Sequence, residues 1–207
     1  MRMLVLGAAG RTGSLVVSKA LGHGHDVTAF LHKKPLQMAH ERLRIVPGDV
    51  RDAASVAAVM PGHDAVAFVL PATSGGAGVH EVGIANVIYA MAQNRIQRLA
   101  AVSAAGTFDR SSTRLSLGYR LLVATALRST YDDLEAMERR IMASDLEWTI
   151  VRPSGLSDEP ASGHYRYSFD GTPLAGAKRV SRADVASLVV KALETDTYLR
   201  RTIGIAG

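Results

Sequence analysis

Three glycines spaced three residues apart offer the first chemistry in this chain, in Gly7-Ala8-Ala9-Gly10-Arg11-Thr12-Gly13. The stretch follows the apolar run Met3 to Leu6 and precedes Ser14 to Leu21, whose periodicity is helical. A glycine turn that opens a helix binds phosphate, because the first helical N–H groups point outward and the helix dipole favours an anion. In such a turn Gly7 permits the sharp bend, Gly10 lets backbone approach a pyrophosphate, and Gly13 lets helix and strand pack closely. Ala9, Arg11 and Thr12 lie between them as candidate contacts. The spacing is not the commoner Gly-x-Gly-x-x-Gly, and an ordinary strand-to-helix turn can carry the same residues.

A second candidate group ends the next strand, His25 to Leu31. There, about 20 residues past the glycines, a fold of this kind that binds an unphosphorylated dinucleotide places an Asp or Glu on the ribose 2′-hydroxyl. This chain has His32-Lys33-Lys34 instead. With Arg11 in the turn, His32 and Lys33 suit a 2′-phosphate through charge-assisted hydrogen bonds, so NADP(H) is expected over NAD(H). An exposed basic loop with no ligand would read the same way. No metal centre is expected, since the seven histidines look scattered and there is no cysteine.

These groups need strands and helices to position them. Leu43 to Val50 reads as a third strand ending in a turn, Ala53 to Met60 as a short helix, and Asp64 to Leu70 as a fourth strand closed by Pro71 to Gly76. Val79 to Asn94 is helical, and Gln97 to Val102 is a fifth strand ending in Ser103-Ala104-Ala105-Gly106. Ser112 to Leu127 is either a helix over the site or an oligomer contact. Tyr131 to Ala143 is a helix with Leu134, Met137 and Ile141 on one face, and Leu146 to Pro153 is a sixth strand. Residues 154–172 are rich in Gly, Pro, Ser and Asp, so His164-Tyr165-Arg166-Tyr167 is either a substrate-side wall or a short surface hairpin. Ser181 is a good N-cap for a helix to Leu193, and Thr202 to Ala206 forms a last strand. Alternation of strand and helix predicts a doubly wound, mainly parallel α/β sheet with helices on both faces. Its ligands sit beyond the carboxyl ends of the strands, where Asp49, Val50, Leu70 and Pro71 fall.

The 207 residues, 47% hydrophobic, suit one domain with one sizeable core. The net charge of +5 is dispersed, which argues for a mildly basic surface rather than a nucleic-acid site. No apolar run reaches the roughly 20 residues of a membrane span, and the absence of cysteine suits a reducing compartment, so a cytoplasmic protein is expected.

The glycine turn, Pro47-Gly48-Asp49-Val50, Val102-Ser103-Ala104-Ala105-Gly106, Trp148-Thr149-Ile150-Val151-Arg152-Pro153 and Val180 to Val185 together resemble the atypical short-chain dehydrogenase/reductases. Within them the chain is most similar to the NmrA-like NAD(P)H-binding proteins and to the flavin-reductase branch containing biliverdin reductase B. The resemblance spans nearly the whole chain and implies a Rossmann domain over residues 1–207, with substrate-side loops at about 105–130 and 154–180. It further implies that the glycine turn holds the pyrophosphate, Asp49 and Val50 border the adenine, Leu70 and Pro71 lie along the ribose, and Ser103 and Pro153 approach the nicotinamide. Two departures stand out. The Tyr-x-x-x-Lys acid/base pair of many such reductases has Tyr131 and Glu135 as its nearest counterpart, and Tyr119 is followed at that spacing by Val123. The histidine that the flavin-reductase branch carries after strand six is Gly155 here. The expected activity is hydride transfer from NADPH to a planar acceptor such as a flavin or quinone, with Ser103 as the candidate catalytic residue and Tyr131 a weaker one. The alternative is a non-catalytic dinucleotide sensor acting through a protein partner. A small-molecule substrate is expected, with no nucleic acid or membrane, in a monomer or homodimer.

Overall fold

A computed structural model describes residues 1–71 and 78–207. The Ala72–Gly76 part of the turn expected after the fourth strand lies outside the described residues. The chain alternates β1 (Arg2–Leu6), α1 (Arg11–Gly22), β2 (Asp26–Leu31), β3 (Leu43–Pro47), α2 (Ala53–Val59), β4 (Ala65–Phe68), α3 (Val79–Gln93) and β5 (Arg98–Val102). It continues through α4 (Leu117–Ala124), α5 (Arg128–Met142), β6 (Glu147–Pro153), β7 (Leu156–Ser157), β8 (Arg166–Ser168), β9 (Val180–Ser181), α6 (Arg182–Glu194) and β10 (Arg201–Ala206). Eight strands make one sheet in the order β3-β2-β1-β4-β5-β6-β10-β8. The first seven run parallel, and β8 pairs antiparallel with β10 at the edge. This is a Rossmann-like α/β fold, and the strand order reverses between β1 and β4.

Period-two alternation in each parallel strand feeds two cores. Met3 and Val5 of β1, with Ala65 and Ala67 of β4, pack under α1 and α6. Leu4 and Leu6, with Val66 and Phe68, face α2, α3 and α5, where Ile84, Met91, Leu134 and Ile141 are fully or almost fully buried. Both faces of the sheet are thereby covered.

Two segments differ from expectation. The 112–127 stretch is helical only over α4, where the Ser116 hydroxyl accepts from the Tyr119 N–H; it buries Val123 and leaves Leu117 and Leu121 exposed. In the 154–180 segment, Arg166–Ser168 joins the sheet edge, and Tyr165, Tyr167 and Phe169 run along one face toward Tyr198 with ring centroids 6.4, 5.2 and 6.2 Å apart. The alternation Tyr-x-Tyr-x-Phe is the strand signal in that stretch.

Candidate functional site

At the carboxyl edge of the sheet a cavity of about 580 Å³ crosses the switch point from β3 to β5. Its floor is the glycine turn, through Gly7, Ala9, Gly10, Arg11 and Thr12. The backbone explains why glycine is needed there. Gly7 has φ of +82°, and a Cβ on it would lie 2.4 Å from the Val69 carbonyl oxygen. A Cβ on Gly13 would lie 2.1 Å from the Gly7 carbonyl oxygen, so that residue supports the turn from beneath rather than lining the cavity. Helix α1 opens at Gly10 with no side-chain cap and no acidic residue in its first turn. Its first N–H groups therefore have no intrahelical acceptor, and the dipole there is uncompensated, which fits an anionic group over Gly10 to Thr12.

The end of the cavity under β2 and β3 is basic. His32, Lys34 and Arg51 line it, with Phe30 and Gly48 between. Gly48 is required because a Cβ there would run into the Phe30 ring at 2.3 Å. Asp49 also lines this end, but its carboxylate is engaged: it accepts from Arg51 Nη2 at 2.7 Å and from the Arg51 N–H at 2.9 Å, with His32 Nε2 3.4 Å away. These Arg51 contacts hold the Asp49 carboxyl at about 2. Arg11, on the opposite rim, pairs with Asp158, which also accepts from Arg182 Nη1 at 2.7 Å. This ties the segment after β7 to the glycine turn and to the start of α6.

The end under β4 and β5 is apolar, lined by Val69, Leu70, Val79, Val102, Leu134 and Leu156, with Pro71 at the edge. The one hydroxyl among its described lining residues at that end belongs to Ser103, whose Oγ is 3.3 Å from Thr107 Oγ1. Next in sequence to Val79, His80 is buried with Nδ1 2.8 Å from Asp133 Oδ2, and its Nε2 has no hydrogen-bond partner among the described residues.

Several expectations need correction. Lys34, not Lys33, lines the cavity, because consecutive side chains beyond a strand end point apart. Pro153 does not line it; that proline pairs with Ile205 inside the sheet. Tyr131 is 2% exposed and outside the cavity, its hydroxyl donating to the Ala105 carbonyl at 2.9 Å and lying 2.5 Å from the Tyr119 hydroxyl. Burial first, and then the Tyr119 phenol, pushes the Tyr131 phenol far up, so it is a poor proton donor. Glu135, standing where a lysine would be, accepts from Arg110 Nε at 2.9 Å and from the Phe108 N–H at 3.2 Å, and so pins the loop after β5. Neither 105–130 nor His164-Tyr165-Arg166-Tyr167 contributes to the cavity wall, whereas Leu156 and Arg182 do. The histidines are not all scattered, because His23 and His25 meet Glu194 at the far edge of the sheet. Arg51 and Arg182 also line the cavity and are not among the site residues expected from the sequence; their signal there is their places two residues past Asp49 and directly after the Ser181 cap.

The fold and this cavity define a protein of the Rossmann-like α/β class, with its cleft at the switch point of the sheet. The chain belongs to the NAD(P)H-binding family, whose model matches residues 7–196. It is 27% identical to the uncharacterized sugar epimerase YhfK of Bacillus subtilis, over 94% of this chain and 88% of that protein. Among solved structures it resembles a short-chain dehydrogenase/reductase from Veillonella parvula in complex with NADP, with TM-score 0.84 and 20% identity over 100% of this chain and 94% of that one. It also resembles ChuY, an anaerobillin reductase from Escherichia coli O157:H7, with TM-score 0.78 and 23% identity over 100% and 97% of the two chains. Among the described residues, no helix is long and apolar enough to cross a membrane.

Proposed function

We propose that this protein is an NADPH-dependent reductase acting on a planar, conjugated acceptor such as a flavin or quinone. The observation that carries the reading is the contrast between the ends of the cavity: basic under β2 and β3, apolar with a lone hydroxyl under β4 and β5. The glycine turn and the α1 N-terminus would hold the pyrophosphate. His32, Lys34 and Arg51 would favour a 2′-phosphate, while Arg11 is paired with Asp158 on the opposite rim, and Asp49 is already committed to Arg51 and is a poor acceptor for a free ribose hydroxyl. Val50 would border the adenine, and Leu70 and Pro71 the ribose. A reduced nicotinamide supplies the hydride.

The chain's own contribution at the reacting end is orientation and exclusion of water. Val79, Val102, Leu134 and Leu156 offer flat apolar contacts to a conjugated ring, and Ser103 offers one hydrogen bond. The Tyr131 phenol is not available as an acid. A positioned acid contributes about 10²–10⁴-fold, so simple ketones should be poor substrates, while acceptors that take their proton from water should not.

The test is NADPH oxidation against a panel of flavins, quinones and simple ketones. Turnover of the planar acceptors is expected, reduced severalfold by Ser103→Ala and hardly changed by Tyr131→Phe. Robust turnover of a ketone that Tyr131→Phe abolishes would overturn the mechanism. Tight NADPH binding without oxidation by any acceptor would favour a dinucleotide sensor acting through a protein partner.

A further inference from the structure

At the opposite edge of the sheet from the cavity, two histidines and a glutamate converge. His23 is the C-cap of α1, His25 lies just before β2, and Glu194 ends α6. The two helices pack on the same face of the sheet and both run back from its carboxyl edge, so their C-terminal ends meet. His23 Nδ1 and His25 Nε2 each lie 2.7 Å from Glu194 Oε1. The three prospective ligand atoms all lie within 4.8 Å of one another. The second ring nitrogen of His25, Nδ1, is 3.3 Å from the α-amino nitrogen of Met1.

The electrostatics call for a cation. A carboxylate at the C-terminal end of a helix faces the negative pole of the dipole, and here two such poles adjoin it. The side chains that meet this carboxyl group in hydrogen-bond contact are the two imidazoles. These rings stay within reach of solvent, with side-chain exposures of 39% for His23 and 14% for His25.

We propose that His23, His25 and Glu194 form a site for a divalent transition-metal ion of the zinc type, with water completing the coordination. Two imidazole nitrogens and one carboxylate oxygen are a donor set that zinc accepts, whereas calcium and magnesium take oxygen donors. Ligands 2.0–2.1 Å from a tetrahedral ion stand about 3.3 Å apart, so seating the ion asks for side-chain shifts on the order of 1 Å. The ion would staple the end of α1 to the end of α6, joining residues 171 apart in the chain. Its role would be structural, since no residue of the site belongs to the cavity lining. An ion bound only by the folded chain raises stability with its concentration.

The experiment uses the full chain, stripped with a chelator and titrated with zinc chloride by calorimetry, with Co²⁺ absorption as a coordination probe. One Zn²⁺ per chain is expected at micromolar concentrations, with a raised Tm and tetrahedral Co²⁺ bands. Loss of an outer-sphere partner commonly costs 10–100-fold in metal affinity, so His25→Ala and Glu194→Gln should each weaken binding at least about tenfold. His40→Ala should leave it unchanged. His23→Ala, at the most exposed ligand, keeps the test valid if Glu194→Gln loosens the α1–α6 contact. No saturable binding up to millimolar Zn²⁺, or binding by His23→Ala and His25→Ala as tight as that of the unsubstituted chain, would overturn the assignment.

Discussion

Lys34 and Arg51 show how much one position matters around a charged ligand. Both line the basic end of the cavity, Arg51 with its guanidinium already ordered by Asp49. Hydrogen bonds to charged groups contribute about 1.5–3 kcal/mol each, so removing one from a phosphate contact should cost about tenfold or more in affinity. On the proposed reading, Lys34→Ala and Arg51→Ala should weaken NADPH binding to that extent and leave NADH binding nearly unchanged, while Lys33→Ala should do little. Fluorescence titration of both reduced cofactors against the variants checks this. Equal losses for the two cofactors would place the basic residues elsewhere than on the 2′-phosphate.

Helix ends are where elements in this fold are locked to one another. Ser181 caps α6 locally, its hydroxyl accepting from the Asp184 N–H at 2.9 Å. Helix α3 has no side-chain cap at its own N-cap residue, Gly78. Its first turn is served instead by Asp133 of α5, which accepts from the His80 N–H at 3.0 Å and from the Glu81 N–H at 2.9 Å. Ser181→Ala should cost about 1 kcal/mol. Asp133→Ala leaves two helical N–H groups and the His80 ring unpaired in a buried place, about 1–3 kcal/mol for each unsatisfied group. Urea denaturation of both variants should therefore rank Asp133→Ala as clearly the more damaging. Since Val79 and Leu134 line the cavity, that variant should also weaken cofactor binding.

Across the whole molecule, the loop after β5 is held by a buried ion pair. Glu138 is fully buried on α5 and accepts from Arg152 of β6, with Nε 3.1 Å from Oε1. The Arg152 guanidinium also lies over the Phe108 ring, 5.6 Å from its centroid, so sheet, helix and loop meet at one cation. Removing one partner of a buried pair costs about 3–5 kcal/mol, because the other charge is left unpaired, whereas replacing both with apolar groups is often neutral. Glu138→Ala should thus lower the Tm sharply or prevent accumulation of folded protein. The double variant Glu138→Leu with Arg152→Met should recover much of the loss in thermal melts.

What the sequence determined by itself was the frame: the order of strands and helices, the glycine turn, the Ser181 cap, and the residues at the carboxyl edge, of which Gly10, Asp49, Leu70 and Ser103 do meet in one cavity. Each of these follows from interactions within a few residues, such as strand alternation, helical periodicity and the conformational freedom of Gly7, so local sequence suffices to read them. The tertiary structure alone decided that Lys34 faces the cavity, that Tyr131 is locked to Ala105 outside it, and that Asp133 reaches α3. It also brought Glu194 to His23 and His25. Those pairings depend on which helices lie side by side once the two apolar faces of the sheet are covered. Burial of that surface is a sum over the chain, and no stretch of sequence states which distant side chains it brings within hydrogen-bond reach.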